Sequence, residues 1–249
     1  MNSRQIQINL CYILHSRPYQ DNSLIIQCLS WERGLISILS KGARSSKKQL
    51  LSLLQPFQSL SISYLGKGDL YILTGVELHS QVNSHISTPL LKGKSIYCAY
   101  YINELILRLL PIEETNPDLF SLYQKTLHKL QNTDSIEIVL RIFEIRLLAI
   151  LGYELNLQYD IHTGKEIKEN INYYYDPLSG PYEIEDKLLR NSKQQITCVS
   201  GKTLIAISFL DFESQQVKKE SKLLLRQVLQ NHLGDKPLKS REVYRQLYS

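Results

Sequence analysis

Residues 5–14 read QIQINLCYIL, and their alternation decides how the first third of the chain folds. Ile6, Ile8, Leu10, Tyr12 and Leu14 fall on one side of an extended segment and mostly polar residues on the other, the period of a half-buried strand. Similar runs follow at 23–30, 34–40, 58–65 and 69–79, separated by RPYQDN, WERG, a cationic stretch and GKGD. In the fifth run Leu70, Ile72, Thr74, Val76 and Leu78 take every second place. Five short strands within some eighty residues predict a small closed barrel, because closure removes the edges that an open sheet of this size must hide. Among such barrels the OB-fold is the five-stranded type that holds oligonucleotides.

Beyond residue 80 the period changes from two to that of a helix. Thr88-Pro89 supplies a capping oxygen and a proline for the first helical position, and the run LLKGKSIYCAYYINELILRLL continues to Pro111. Asn116-Pro117-Asp118 repeats that start signal ahead of an apolar stripe of Leu119, Leu122, Tyr123, Leu127 and Leu130. In DSIEIVLRIFEIRLLAILGY, Asp134 and Glu137 have capping-box spacing. Val139, Leu140, Phe143, Leu147, Ile150 and Leu151 form its inward face, and Gly152 is the stop. Helices are also predicted over 214–233, capped by Ser214 and ended by Gly234, and over 240–248. The tyrosine-rich segment at about 154–200, with INYYYDPLSGPYEIED at its centre, reads equally as a hairpin or as an ordered loop. The expected class is therefore α+β: a five-stranded OB-type β-barrel over 1–80, followed by a mainly α-helical domain over 81–249.

The composition, 43% apolar and 21% charged, is that of a folded globular chain. No window of about 18 uncharged apolar residues occurs, and the first ten residues lack the basic head and apolar core of a secretory leader, so a cytoplasmic location is expected. Cys11, Cys28, Cys98 and Cys198 are too scattered for a zinc or redox motif and read as reduced thiols. The net charge of +5 is unevenly spread. Residues 1–80 hold eight Lys/Arg against four Asp/Glu, and residues 215–249 hold eight against three, whereas the middle is net acidic. A polyanion would meet the two ends.

Motifs for catalysis are missing from the sequence. SGKT at 200–203 resembles the end of a phosphate-binding loop, but Ile196 stands where its first glycine is required. GKG at 66–68 has Tyr71 where a dinucleotide fingerprint needs glycine. The six histidines show no metal-binding pair at helical spacing, and no serine sits in a nucleophile elbow. The chemistry-bearing feature is instead SKGARSSKKQLLSLLQPF at 40–57, where Lys41, Arg44, Lys47 and Lys48 gather in one connection. With Arg17 and the aromatic residues Tyr19, Trp31 and Phe57 they form a set suited to phosphates and stacked bases. The competing reading is a solvated loop, with Trp31 and Phe57 in the core.

The segments LHSRPYQDNSLII, GLISILSKGARSSKK, LQPF, YINELILRLL, LRIFEIRLLAILGYELNL and KPLKSREVYRQ, in this order, resemble the RecO family of recombination mediators over nearly the whole chain. The resemblance implies a non-enzymatic DNA repair and recombination function. It implies binding of single- and double-stranded DNA, annealing of complementary strands, engagement of single-strand-binding protein (SSB), and loading of RecA together with RecR. It further implies a nucleoid-associated location and no cofactor. Lys41, Arg44, Lys47 and Lys48 fall in the family's basic KGAR segment and, with Arg17 and Tyr19, become the expected DNA contacts. Arg141 matches a position that receives the SSB C-terminal tail in relatives, where an arginine fork suits a terminal carboxylate; otherwise it is an exposed helix charge paired with Glu137 or Glu144. Lys239 and Arg241 are expected either to extend the DNA path or only to coat a helix. Many relatives carry a four-cysteine zinc module after LGY, but here Asp160 stands near the place of the first cysteine, so no metal is expected. An alternative function is an adaptor that links SSB to RecR without touching DNA.

Overall fold

The structure, a computed structural model, describes residues 7–44, 48–66, 68–79, 90–183 and 197–248. Lys47, the Thr88-Pro89 start signal and Ile196 lie outside these residues, as does the Lys48 side chain. The chain divides into two compact units, Met1–Thr133 with Pro237–Ser249, and Asp134–Lys236.

In the first unit, strands β1 (Gln7–Tyr19), β2 (Ser23–Ser30), β3 (Gly34–Ser40), β4 (Ser59–Leu65) and β5 (Tyr71–Leu78) form a closed barrel in the order β1-β2-β3-β5-β4. All its pairings are antiparallel except β3–β5, where Ile38 pairs with Tyr71 and Leu39 with Ile72. Cys11, Ile13, Ile26, Ile36, Ile38, Leu60 and Ile62 fill the interior. The short helix α1 (Lys48–Leu53) lays Leu50 and Leu51 against that core, and Leu54 beyond it is buried there. This is the OB-type barrel expected from the strand spacing.

Two local departures from simple alternation matter. β1 is buried on both sides: Cys11 and Ile13 face the barrel interior, while Tyr12, on the opposite side, is only 1% exposed. It lies under helix α3 (Pro117–Gln131), 5.3 Å from the Phe120 ring and 5.2 Å from that of Tyr123. A register shift between Ile13 and His15 leaves Leu14 as the extra residue, and Asn103 of α2 (Lys94–Leu109) donates to its carbonyl at 2.8 Å. In β5, the shift opposite Ser63/Tyr64 makes Thr74 the extra residue. Tyr71 and Leu73 therefore face inward before it and Val76 after it, while Ile72 stays outside at 39% exposure. A bulge exchanges the two faces of a strand, which the every-second-place pattern of residues 70–78 could not reveal.

The helical start at Asn116 is built as expected: its side chain accepts from the Leu119 N–H at 2.9 Å, and Pro117 takes the first turn. At the bend between β2 and β3, Gly34 has φ 65, and a Cβ there would lie 1.9 Å from the Glu114 carbonyl oxygen. Only glycine allows the α2–α3 connection to approach so closely. Helix α7 (Lys239–Tyr248) returns to this unit, where Glu104 of α2 accepts from the Lys239 and Ser240 N–H groups, both at 2.9 Å.

The second unit contains α4 (Ile136–Ile150), the three-stranded sheet β7-β6-β8 (Gly180–Tyr182, Asn172–Asp176, Thr197–Ser200), α5 (Gly201–Ser208) and α6 (Gln215–Leu233). Ser135, without a side-chain cap, begins α4 in place of the expected Asp134–Glu137 box. Gly234 ends α6 as expected, but Ser214 at its start makes no side-chain cap bond. The tyrosine-rich segment is a hairpin at its centre: Asp176 accepts from the Leu178 and Ser179 N–H groups at 3.0 and 2.8 Å, which turns β6 into β7.

Candidate nucleic-acid interface

Arg17, Pro18 and Tyr19 end β1, and the turn that follows holds Gln20 at φ 50. Because Tyr19 pairs with Ser23, and Leu24 with Ser40, the residues leaving β3 are set beside this hairpin tip. The Arg44 N–H donates to the Asn22 carbonyl at 3.0 Å, and its guanidinium reaches toward the Gln20 carbonyl at 3.4 Å. Ala43 is fully buried and anchors the loop, leaving Lys41 and Arg44 exposed on either side of it. Four of the expected contact residues, Arg17, Tyr19, Lys41 and Arg44, thus share one end of the barrel and are all exposed. Asp21, also exposed in the turn, is a carboxylate among them.

The other aromatic candidates are placed elsewhere. Phe57 is 6% exposed and packs edge-on against Tyr100 at 4.9 Å, so it belongs to the core. Trp31 follows the far end of β2 from Tyr19 and contacts Phe120 at 5.4 Å while remaining 41% exposed. In the returning helix Lys239 is exposed, but Arg241 donates to the Tyr101 hydroxyl at 2.9 Å and lies 5.1 Å above that ring.

A second feature lies in the other unit. Arg141 faces inward on α4 with only 8% exposure, and its Nη2 donates to the wholly buried Glu144 carboxylate at 3.0 Å. Its Nε–H has no hydrogen-bond partner among the described residues. The guanidinium lines a small cleft with Glu137, Ile138, Phe212, Lys218 and Lys222. Lys222 pairs with Glu137 at 3.0 Å and holds that carboxyl below the usual carboxylate range. An inward Arg–Glu pair cannot be read from an apolar stripe, because both residues look like exposed helix charges. Phe212 carries no sequence signal of its cleft position either.

SGKT is not a phosphate loop. The Gly201 N–H is bound by the Ile171 carbonyl, that of Lys202 by Glu169, and that of Thr203 by the Ser200 hydroxyl. A phosphate needs those donors. Gly201 is required instead by packing, since a Cβ there would meet the Lys168 carbonyl oxygen at 2.0 Å.

The residues around Asp160 do not fit zinc either. Asp160 is 4% exposed, and its Oδ1 accepts from the His162 and Thr163 N–H groups and the Thr163 hydroxyl, at 2.9, 2.7 and 3.0 Å. Its Oδ2 accepts from the Glu183 N–H at 2.8 Å. Both oxygens are occupied by donors. Cys198 is the one thiol among the described residues of this segment, and no three His, Cys, Asp or Glu side chains among the described residues gather to hold a metal ion. Burial pushes the Asp160 carboxyl up, but the four donors outweigh it and hold it below its ordinary value.

These features define a protein built on an OB-type barrel with a basic, partly aromatic end, joined to a helical region. Residues 8–82 match the family model "Recombination protein O N terminal", and residues 91–242 match "Recombination protein O C terminal". Among curated relatives, the DNA repair protein RecO of Nitrosococcus oceani is 37% identical, covering 98% of this chain and 94% of the relative. That of Psychromonas ingrahamii is 36% identical over 96% and 98%, and that of Haemophilus influenzae 34% over 97% of each. The chain belongs to the RecO family. Among the described residues, no helix is long and apolar enough to cross a membrane.

Proposed function

We propose that this chain is a DNA repair protein of the recombination-mediator type, which binds single and double strands and anneals complementary ones. In this reading the barrel end formed by Arg17, Tyr19, Lys41 and Arg44, with Lys47 and Lys48 following, neutralises phosphates. Tyr19 offers a ring to a base. The observation that carries the reading is the docking of the 41–44 loop onto the β1–β2 hairpin through Arg44. Cations distant in sequence thereby share one exposed surface. Annealing follows from proximity and charge neutralisation, with no nucleotide hydrolysis and no cofactor.

The Arg141 cleft supports the second part of the proposal, capture of the acidic, apolar C-terminal tail of SSB. It combines a buried guanidinium with an unpartnered N–H, two lysines and the Phe212 ring. A terminal carboxylate answers the first and apolar side chains the last. Tail capture brings the protein to SSB-coated strands, where with RecR it promotes RecA loading.

The test is annealing of bare and SSB-coated complementary strands by the native chain and by a variant with alanine at Lys41, Arg44, Lys47 and Lys48. Binding should fall with salt at a slope of roughly −3 to −4 in log K against log salt on single strands, from about four to six phosphate contacts. The variant should bind single strands more weakly and anneal neither substrate. A native slope near zero would favour the adaptor that links SSB to RecR without touching DNA.

A further inference from the structure

Annealing needs two strands, and one barrel end holds one. We propose that the face shared by α2 and α7 is a second single-strand site, with bases stacking on tyrosines and phosphates on the lysines beside them. This rests on the barrel end taking the first strand.

The structure brings three tyrosines together from distant parts of the chain. Tyr248 lies 5.7 Å from Tyr97 and 4.9 Å from Tyr244, ring centre to ring centre. The Lys94 ammonium stands 5.4 Å from the Tyr248 centroid. These rings do not form a core: no residue of α7 is buried, and Tyr248 is 41% exposed. Packing alone would favour removing such rings from water, because an aromatic side chain contributes most when buried. An exposed ring beside a cation is the arrangement by which single strands are held without sequence reading.

The charges agree. Helix α7 carries Lys239, Arg241 and Arg245 against Glu242, and Lys92 and Lys94 precede Tyr97. Glu104 on α2 is engaged by the start of α7, accepting from the Lys239 and Ser240 N–H groups and the Ser240 hydroxyl. Arg241 is committed to Tyr101 and orients the helix. Lys92, Lys94 and Lys239 are exposed, and these lysines are assigned to the phosphates.

The experiment counts strands. A fluorescent oligothymidylate of about ten nucleotides, within the span of a single binding site, is titrated into the full chain at a concentration far above its dissociation constant. Two strands per chain are expected. The double variant Tyr244→Ala/Tyr248→Ala and, separately, Lys92→Glu/Lys94→Glu should each bind one and anneal about tenfold more slowly or worse. The Lys92/Lys94 pair is exposed at the helix start, so folding is preserved even if the tyrosine variant unfolds. The barrel variant lacking Lys41, Arg44, Lys47 and Lys48 should also bind one. As a direct readout, a strand containing 5-iododeoxyuridine should crosslink to the peptide holding Tyr244 and Tyr248.

If native chain binds one strand, or if both α2–α7 variants keep two strands and native annealing, the second site is overturned. If instead the barrel variant keeps two strands, the barrel reading fails and this face stands or falls on its own variants. Crosslinks confined to the barrel peptides also overturn the proposal.

Discussion

Replacing Asp160 tests whether one carboxylate holds together the tyrosine-rich segment around it. Its side chain accepts four hydrogen bonds, three from backbone N–H groups, at 2.7–3.0 Å, and is 4% exposed. A hydrogen bond to a charged group contributes about 1.5–3 kcal/mol, but three of these close a short local turn whose donors water can partly reach. The Glu183 bond spans 23 residues and ties that turn to the end of β7. Counting the long-range bond in full and the local set as about one more, Asp160→Ala should cost about 3 kcal/mol. Asp160→Asn keeps one acceptor oxygen for His162 and Thr163 but turns an amide toward the Glu183 N–H, and should cost about 2 kcal/mol.

The assay must separate the two units. Trp31, the one tryptophan of the chain, reports on the barrel unit, so its urea transition should stay in place. Hydrogen exchange of the peptide 154–183 should accelerate by about two orders of magnitude in Asp160→Ala, the same 3 kcal/mol read locally. The pH dependence has a definite sign. The folded-state value is depressed below the ordinary 3.8, so the stabilisation is present above that value and is lost as pH falls through the lower folded one. Asp160→Ala should remove that part of the acid sensitivity. Chelators should leave the native exchange pattern unchanged, and purified protein should hold no stoichiometric zinc. Unchanged exchange in Asp160→Ala, or bound zinc at one per chain, would refute the reasoning.

Phe57→Ala should cost about 3–5 kcal/mol in urea unfolding, by cavity formation against Tyr100, while leaving single-strand affinity at the folded state unaltered; a selective loss of affinity would restore Phe57 as a stacking residue. Arg141→Ala should destabilise by about 3–5 kcal/mol, because it takes the guanidinium away from a carboxylate with no exposure. The double change Arg141→Met/Glu144→Leu should recover most of that in thermal unfolding and still fail to bind an acidic, apolar peptide with a free C-terminal carboxylate, as measured by anisotropy. Glu104→Ala should remove the acceptor at the start of α7 and cost about 1–2 kcal/mol, visible as faster exchange over 239–248 with little change elsewhere.

Much of this molecule was determined by local sequence. Period-two runs give the strands and period 3.6 gives the helices, because the alternation of a strand and the stripe of a helix are properties of consecutive residues. Asn116-Pro117 and Gly234 mark helix ends by chemistry that acts within one turn. The clustering of Lys41 and Arg44 was also visible.

What tertiary structure alone decided lies in contacts between residues far apart in the chain. β1 looked half-buried because alternation cannot show that α3 covers its second face. The bulge at Thr74 exchanges sides in β5 through its pairing with β4. Arg141 and Glu144 look solvated on a helical wheel and become an internal pair only where the rest of their unit closes over them. Arg17 and Tyr19 meet Lys41 and Arg44 through the register of β2 with both its neighbours, and Tyr248 meets Tyr97 because α7 returns after a whole unit has intervened. Local periodicity tells each segment which shape to take; which surfaces then meet depends on long-range pairing and burial, for which adjacent residues carry no signal.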